Sequence, residues 1–100
     1  MIHVVARASI RPELLDDYLK IVRALLPTVR AEAGCIRYEP CLDYAEDGSR
    51  APCVTMLESW ESKSHLDAHL ASAHMKEFLA KVSSMREGKS ELRILTSAES

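Results

Sequence analysis

The sequence predicts an α+β fold of the ferredoxin-like type, β-α-β-β-α-β, with a four-stranded antiparallel sheet covered on one face by its helices. Three observations carry this. Four stretches read as strands, two stretches repeat apolar residues every three or four positions, and the two kinds alternate in the split order of that fold. Residues 1–96 read as one domain and "SAES", 97–100, as a loose tail.

"MIHVVARASI" opens as a strand. Pro12 suits the first turn of a helix, where its missing N–H costs nothing. Leu14, Leu15, Tyr18, Leu19, Val22, Leu25, Leu26 and Val29 then recur at helical spacing, which predicts one amphipathic helix from about 12 to 32, bent at Pro27 and stopped by Gly34. "CIRYEPCLD" and "PCVTMLESW" read as a hairpin pair, Pro40 favouring an edge strand. A turn centred on Asp47-Gly48 would bring Cys41 and Cys53 close to opposite each other.

From Ser62 to Arg86 the helical phase breaks. Leu66 and Leu70 share one side, whereas Met75, Phe78, Leu79, Val82 and Met85 share another, well over a quarter turn away. One straight helix cannot bury both sets against one surface. Two short helices are expected, jointed near Ala71-Ser72, with Ser72 capping the second. Gly88 then releases the chain into a last strand, "SELRILT".

The composition excludes several classes of function. A net charge of −2 with no basic run gives no nucleic-acid surface, and no segment reaches the length of a membrane span. The N-terminal stretch does not read as a signal peptide, and Cys35, Cys41 and Cys53 fit no metal or disulfide pattern. A cytoplasmic chain with reduced thiols is expected. The strands carry apolar residues on both faces, as in Val4-Val5 and Val54 with Leu57, so the sheet face away from the helices needs a cover. A homodimer with the sheets face to face is the simplest one.

Strand alternation sets Val54, Met56, Glu58 and Trp60 on one face, which leaves a carboxylate between a methionine and the only tryptophan. Glu58 is then either a rim residue reaching water or a partly desolvated pocket carboxylate. Trp60 is core or pocket wall. Three of the four histidines, His65, His69 and His74, fall within ten residues. His65 and His69 have the i, i+4 spacing of two zinc ligands, but no HExxH glutamate or third ligand follows, so no metal is expected and His65 reads as a solvated helix start. His69 and His74 flank the inferred joint, where a notch against the sheet would form. There they are either half-exposed helix ends or neutral bases lining a pocket walled by Trp60.

"RAEAGCIRYEP" followed by "MLESWESKSHLDAHLASAHMKEF" resembles the antibiotic biosynthesis monooxygenase domain family. The motif positions are Arg30, Glu32, Gly34, Cys35, Tyr38, Glu58, Trp60, Ala68, His69, Ser72, His74 and Phe78. Within that family, "LLPTVRAEAGC", "WESKSHLDAHL" and "LRIL" resemble the small bacterial quinol monooxygenases. The resemblance implies a dimeric α+β barrel that oxidises a hydroquinone or polyphenol with dioxygen, without metal, flavin or haem. In that scheme we expect His74 or His69 as general base, Glu58 orienting a histidine or hydrogen-bonding the substrate, and Trp60, Tyr38, Met56 and Phe78 around the ring; the resemblance fixes these positions better than their roles.

Three other readings compete. A haem-degrading branch needs an Asn, and this chain has neither Asn nor Gln; its histidine position falls near Leu79. An isomerase of a small phosphorylated signalling metabolite needs clustered cations, for which Arg37 and Lys76 are candidates. A non-enzymatic dimer that binds a small aromatic needs only the pocket.

Overall fold

The computed structural model describes residues 1–99. Its elements are β1 (Ile2–Ile10), α1 (Leu15–Arg30), β2 (Cys35–Leu42), β3 (Cys53–Trp60), α2 (Lys63–Leu70), α3 (Ala73–Val82) and β4 (Arg86–Thr96), with single 3-10 turns at Pro12–Leu14 and Ser83–Met85. The sheet order is β2-β3-β1-β4 and every pairing is antiparallel, the ferredoxin-like arrangement that the element order predicts.

Alternation gives each strand one face toward the helices. Val4, Ala6 and Ala8 of β1 stand opposite Glu58, Met56 and Val54 of β3, and Tyr38 of β2 continues the Glu58 rung. Two groups of buried side chains form on this face. One holds Ile10, Leu15, Tyr18, Leu19, Val22, Val54, Val82 and Met85; the other holds Val4, Val29, Tyr38, Trp60, Leu66 and Met75. Leu26, Met56 and Phe78 touch both groups.

The predicted joint is present. α2 ends at Leu70, α3 begins at Ala73, and the Ser72 hydroxyl accepts a bond from the Met75 amide, satisfying one of the donors a helix start leaves unpaired. The buried stripe of α2 differs from the expected one: Leu66 and His69 are buried, while Leu70 is 42% exposed. Leu79 on α3 is equally exposed. Both line the rim of a cavity instead of the core.

Three local expectations need correction. α1 stops at Arg30, so Glu32 lies in the turn before β2 and not on the helix. In the hairpin, Cys41 faces Thr55 and Leu42 faces Val54, which puts Cys53 two rungs from Cys41. β4 starts at Arg86 rather than after Gly88; the register shift against β1 between Arg7 and Ser9, with Gly88 at φ +69°, lets the strand continue through the glycine. At the C-terminus, Ser97 to Glu99 make a short exposed turn, and Ser100 lies outside the described residues.

The face of the sheet away from the helices is of mixed polarity. Val5 and Leu57 pair across it, with Arg7–Asp43, Arg37–Glu39 and His3–Ser59 around them. On the edge strand β4, Leu92, Ile94 and Leu95 are 55%, 43% and 44% exposed. Among the described residues no helix is long and apolar enough to cross a membrane.

Candidate active site

A cavity of about 230 Å³ lies where the two core groups meet. Its floor is the helix-facing side of β3 and β1, contributed by Glu58, Met56 and Val54 with Ala6 and Ala8. Its walls are Tyr38, Tyr18, His69, Met75, Phe78 and Val82, and its rim carries Leu70, Leu79 and Leu92. The volume sits below the range that holds drug-sized ligands, which suits a one- or two-ring molecule.

The break between α2 and α3 places His69. The imidazole is 1% exposed, wedged between Trp60 (ring centroids 4.6 Å apart) and the edge of Tyr38 (5.4 Å). Its Nδ1 lies 2.7 Å from Oε2 of Glu32, and Nε2 of His74 lies 2.9 Å from the same oxygen. An ionised carboxylate only accepts hydrogen bonds, so both facing nitrogens carry the protons. His69 is thereby fixed with hydrogen on Nδ1 and a lone pair on Nε2. No described residue bonds Nε2, and no sealed side-chain nitrogen or oxygen lacks a partner, so Nε2 opens onto the cavity that His69 lines.

Burial holds the His69 pKa below its ordinary value. The bond to Glu32 and its charge oppose that, and His74 adds to it. The ring is therefore neutral at physiological pH, the form that can accept a proton.

Glu58 is the second ionisable group in the cavity. Trp60 Nε1 donates to its Oε1 at 3.1 Å, within the same strand two residues away. Burial pushes its pKa up to about 7; the Trp60 bond works against this and the Glu32 charge adds to it. A carboxyl group so poised exchanges its proton near neutrality. Burial, reinforced by the Glu58 charge, also drives the Tyr38 phenol upward, which keeps it a neutral hydrogen-bond donor. Arg30 anchors this tyrosine by donating from Nε and Nη2 to the Tyr38 carbonyl, at 3.1 and 2.9 Å.

Of the residues singled out in the sequence, His69, Glu58, Tyr38, Met56 and Phe78 line one cavity. His74 and Trp60 do not. His74 stands on the far side of Glu32, beside a second and shallower depression, because its place in the first turn of α3 turns it toward α1. Trp60 is fully buried behind His69, where it backs the imidazole and holds Glu58. Glu58 orients no histidine; Glu32 does. Glu32 stands in the motif "RAEAGC", yet its role was not legible because its partners lie 37 and 42 positions away. Tyr18 and Arg86 also line the cavity; the sequence marks Tyr18 only as a member of the α1 stripe and carries no local signal for Arg86.

His65 bonds Ser62 at 2.7 Å and packs over Gly34. Glu32, His69 and His74 do bring three donor atoms within 4.8 Å of one another, a third partner that spacing along the chain did not reveal. Two imidazoles and a carboxylate are a set that transition metals accept. In this arrangement the shared Oε2 is already satisfied by the two ring N–H groups.

The isomerase candidates Arg37 and Lys76 do not reach the cavity. Arg37 lies on the opposite sheet face, bonded to Glu39 at 2.7 Å, and Lys76 is exposed on α3.

The antibiotic biosynthesis monooxygenase family model matches residues 1–81. The chain is 41% identical over 88 residues to "Probable quinol monooxygenase YgiN" of Escherichia coli K12, covering 78% of this chain and 81% of that one. A conserved protein from Methanosarcina mazei Go1 superposes with a TM-score of 0.84 at 29% identity, over 94% of this chain and 89% of its own. Rv0793 from Mycobacterium tuberculosis does so with a TM-score of 0.83 at 25% identity, over 96% and 93%. Sequence and fold agree: this chain belongs to the antibiotic biosynthesis monooxygenase family.

Proposed function

We propose that the chain is a cofactor-independent monooxygenase that oxidises a small aromatic hydroquinone with dioxygen, His69 acting as the base. The observation that carries this is the unpaired Nε2 of His69, directed into an apolar cavity by the Glu32 bond on the other ring nitrogen. A hydroquinone hydroxyl at Nε2 would lose its proton there, and the resulting imidazolium would be stabilised by the Glu32 carboxylate. The ring anion is electron-rich enough to reduce dioxygen itself. It adds O2 to give a ring hydroperoxide, to which the imidazolium returns the proton. Loss of water then leaves a hydroxylated quinone, so one oxygen atom enters the ring and the other leaves as water. Glu58, with a pKa of about 7, can bond the second hydroxyl or move its proton.

Met56, Phe78 and the Tyr38 ring offer apolar surface to a flat ring and shield the anion from bulk water. The same lining argues against a phosphorylated sugar derivative, whose hydroxyls would lose hydrogen bonds to water with few partners in return. A plain aromatic-binding dimer would need no histidine–carboxylate pair. We further propose a homodimer, supported by the exposed Leu92, Ile94 and Leu95 on an edge strand, in the reducing cytoplasm, where the three free cysteines would persist.

The test is oxygen uptake with a naphthohydroquinone after treatment with a metal chelator. Uptake well above autoxidation in the treated protein, lost in His69→Ala, is expected. Uptake equal to autoxidation, or restored only by added metal, refutes the reading.

A further inference from the structure

The cavity has a charged end that the chemistry above does not use. Its floor runs along the strands from the Glu58 rung through Met56 to Val54, roughly 13 Å at the usual strand rise. Arg86 pairs with Ile10, past Ala8 and so beyond the Val54 rung, on the rung of a residue buried in the core, and it lines the cavity with Ser90 at the end away from His69. The guanidinium donates through Nη1 to the Ser90 hydroxyl at 2.9 Å. Among the described residues, no carboxylate lies within ion-pair reach of it. Arg7 borders the cavity, but its guanidinium lies on the opposite sheet face, where it bonds Thr55 and both oxygens of Asp43; Arg37 and Arg50 have carboxylate partners as well. Glu91 beside the mouth is exposed and faces Arg7 across the β1–β4 pairing. Buried Tyr18 stands near enough to Arg86 to feel its charge, which opposes the upward push of burial on the phenol.

Resting on the hydroquinone reading, we propose that the substrate carries a carboxylate on its ring system and that Arg86 binds it while the hydroxyl to be deprotonated meets His69. Arginine presents a planar fork that matches a carboxylate and is costly to leave half-desolvated without one. Val54, Met56, Phe78 and Val82 separate the two ends with apolar surface, so the body between them is aromatic. Two fused rings, rather than one, cover the span.

The test uses probes that cannot be oxidised as hydroquinones, 2-naphthoate and the neutral 2-naphthamide, with binding measured by titration calorimetry. The wild type is expected to bind 2-naphthoate about ten- to a hundredfold more tightly than the amide, the discrimination of a charge-assisted bond. Arg86→Gln is expected to bring the ratio near one, and Arg86→Lys to leave an intermediate ratio because it keeps the charge and loses the fork. Should the Gln variant melt early, the Lys variant gives the same reading. Equal affinities in the wild type, no binding of either probe, or a ratio that the Arg86 variants do not move each overturns the proposal. Binding needs no turnover, so that failure leaves the monooxygenase reading standing. Absence of oxygen uptake with every hydroquinone would sink the latter without touching the binding result.

Discussion

Glu32 Oε2 sits 2.7 Å from His69 Nδ1, joining the turn after α1 to the last turn of α2 through a nearly sealed imidazole. This bond decides which nitrogen of His69 is basic. Glu32→Gln keeps the shape but offers an amide that can present either oxygen or N–H, so the tautomer is no longer fixed. We expect kcat to fall about 100-fold or more, within the range for general base catalysis, with KM little changed. Steady-state oxygen uptake checks this. A rise in KM with kcat preserved would place Glu32 in binding instead.

The two histidines are expected to separate. His69→Ala removes the base and should cost roughly 10²- to 10⁴-fold in kcat. His74→Ala removes only a second donor to Glu32 on the side away from the cavity, and should cost about tenfold or less. Equal losses in both variants would contradict the placement of Nε2 in the cavity.

The Glu58 carboxyl makes stability depend on pH. Its folded pKa of about 7 exceeds the ordinary 4.5, so between those values the folded state binds more protons than the unfolded one. Its contribution is therefore complete at low pH and is lost as pH rises through 7. The loss is on the order of 3 kcal/mol for a shift of this size. His69, with its lowered pKa, pulls the other way, so the informative quantity is the difference from Glu58→Gln, which stays neutral and can still accept from Trp60. Thermal melts should show the Gln variant gaining on the wild type from pH 5 to pH 8. A constant difference would mean that Glu58 is ionised throughout.

Gly34 is needed twice. Its φ of +80° suits glycine, and a Cβ there would come within 2.3 Å of the His65 ring. The nearest atoms are the root of that side chain, its Cβ, Cγ and Cδ2, and the ring is also held by its bond to Ser62, so it cannot simply swing clear. Gly34→Ala should lower stability by about 1–3 kcal/mol, read from denaturant midpoints, without changing the cavity. A neutral substitution would show that the α1–β2 turn relaxes freely.

The legible part of this molecule was the part that periodicity controls. The mismatch between the Leu66 side and the Met75–Val82 side foretold the joint, Ser72 its cap, and alternation in "VTMLESW" the face that Glu58 shares with Met56. Two apolar residues were misplaced for a physical reason. Leu70 and Leu79 fit the helical stripes, but a cavity opens beside them, so they border empty space and not core. The Glu32 connection and the Arg86 end depend on chain segments brought together from far apart, and no local pattern encodes them.

The central claim is that His69 presents a bare Nε2 to the cavity, and ¹⁵N-detected NMR of the histidine rings measures it directly. At pH 7.5 His69 is expected to be neutral, with its proton on Nδ1, and Glu32→Gln to disturb this state. A His69 ring protonated on Nε2, whether neutral or charged, would contradict it.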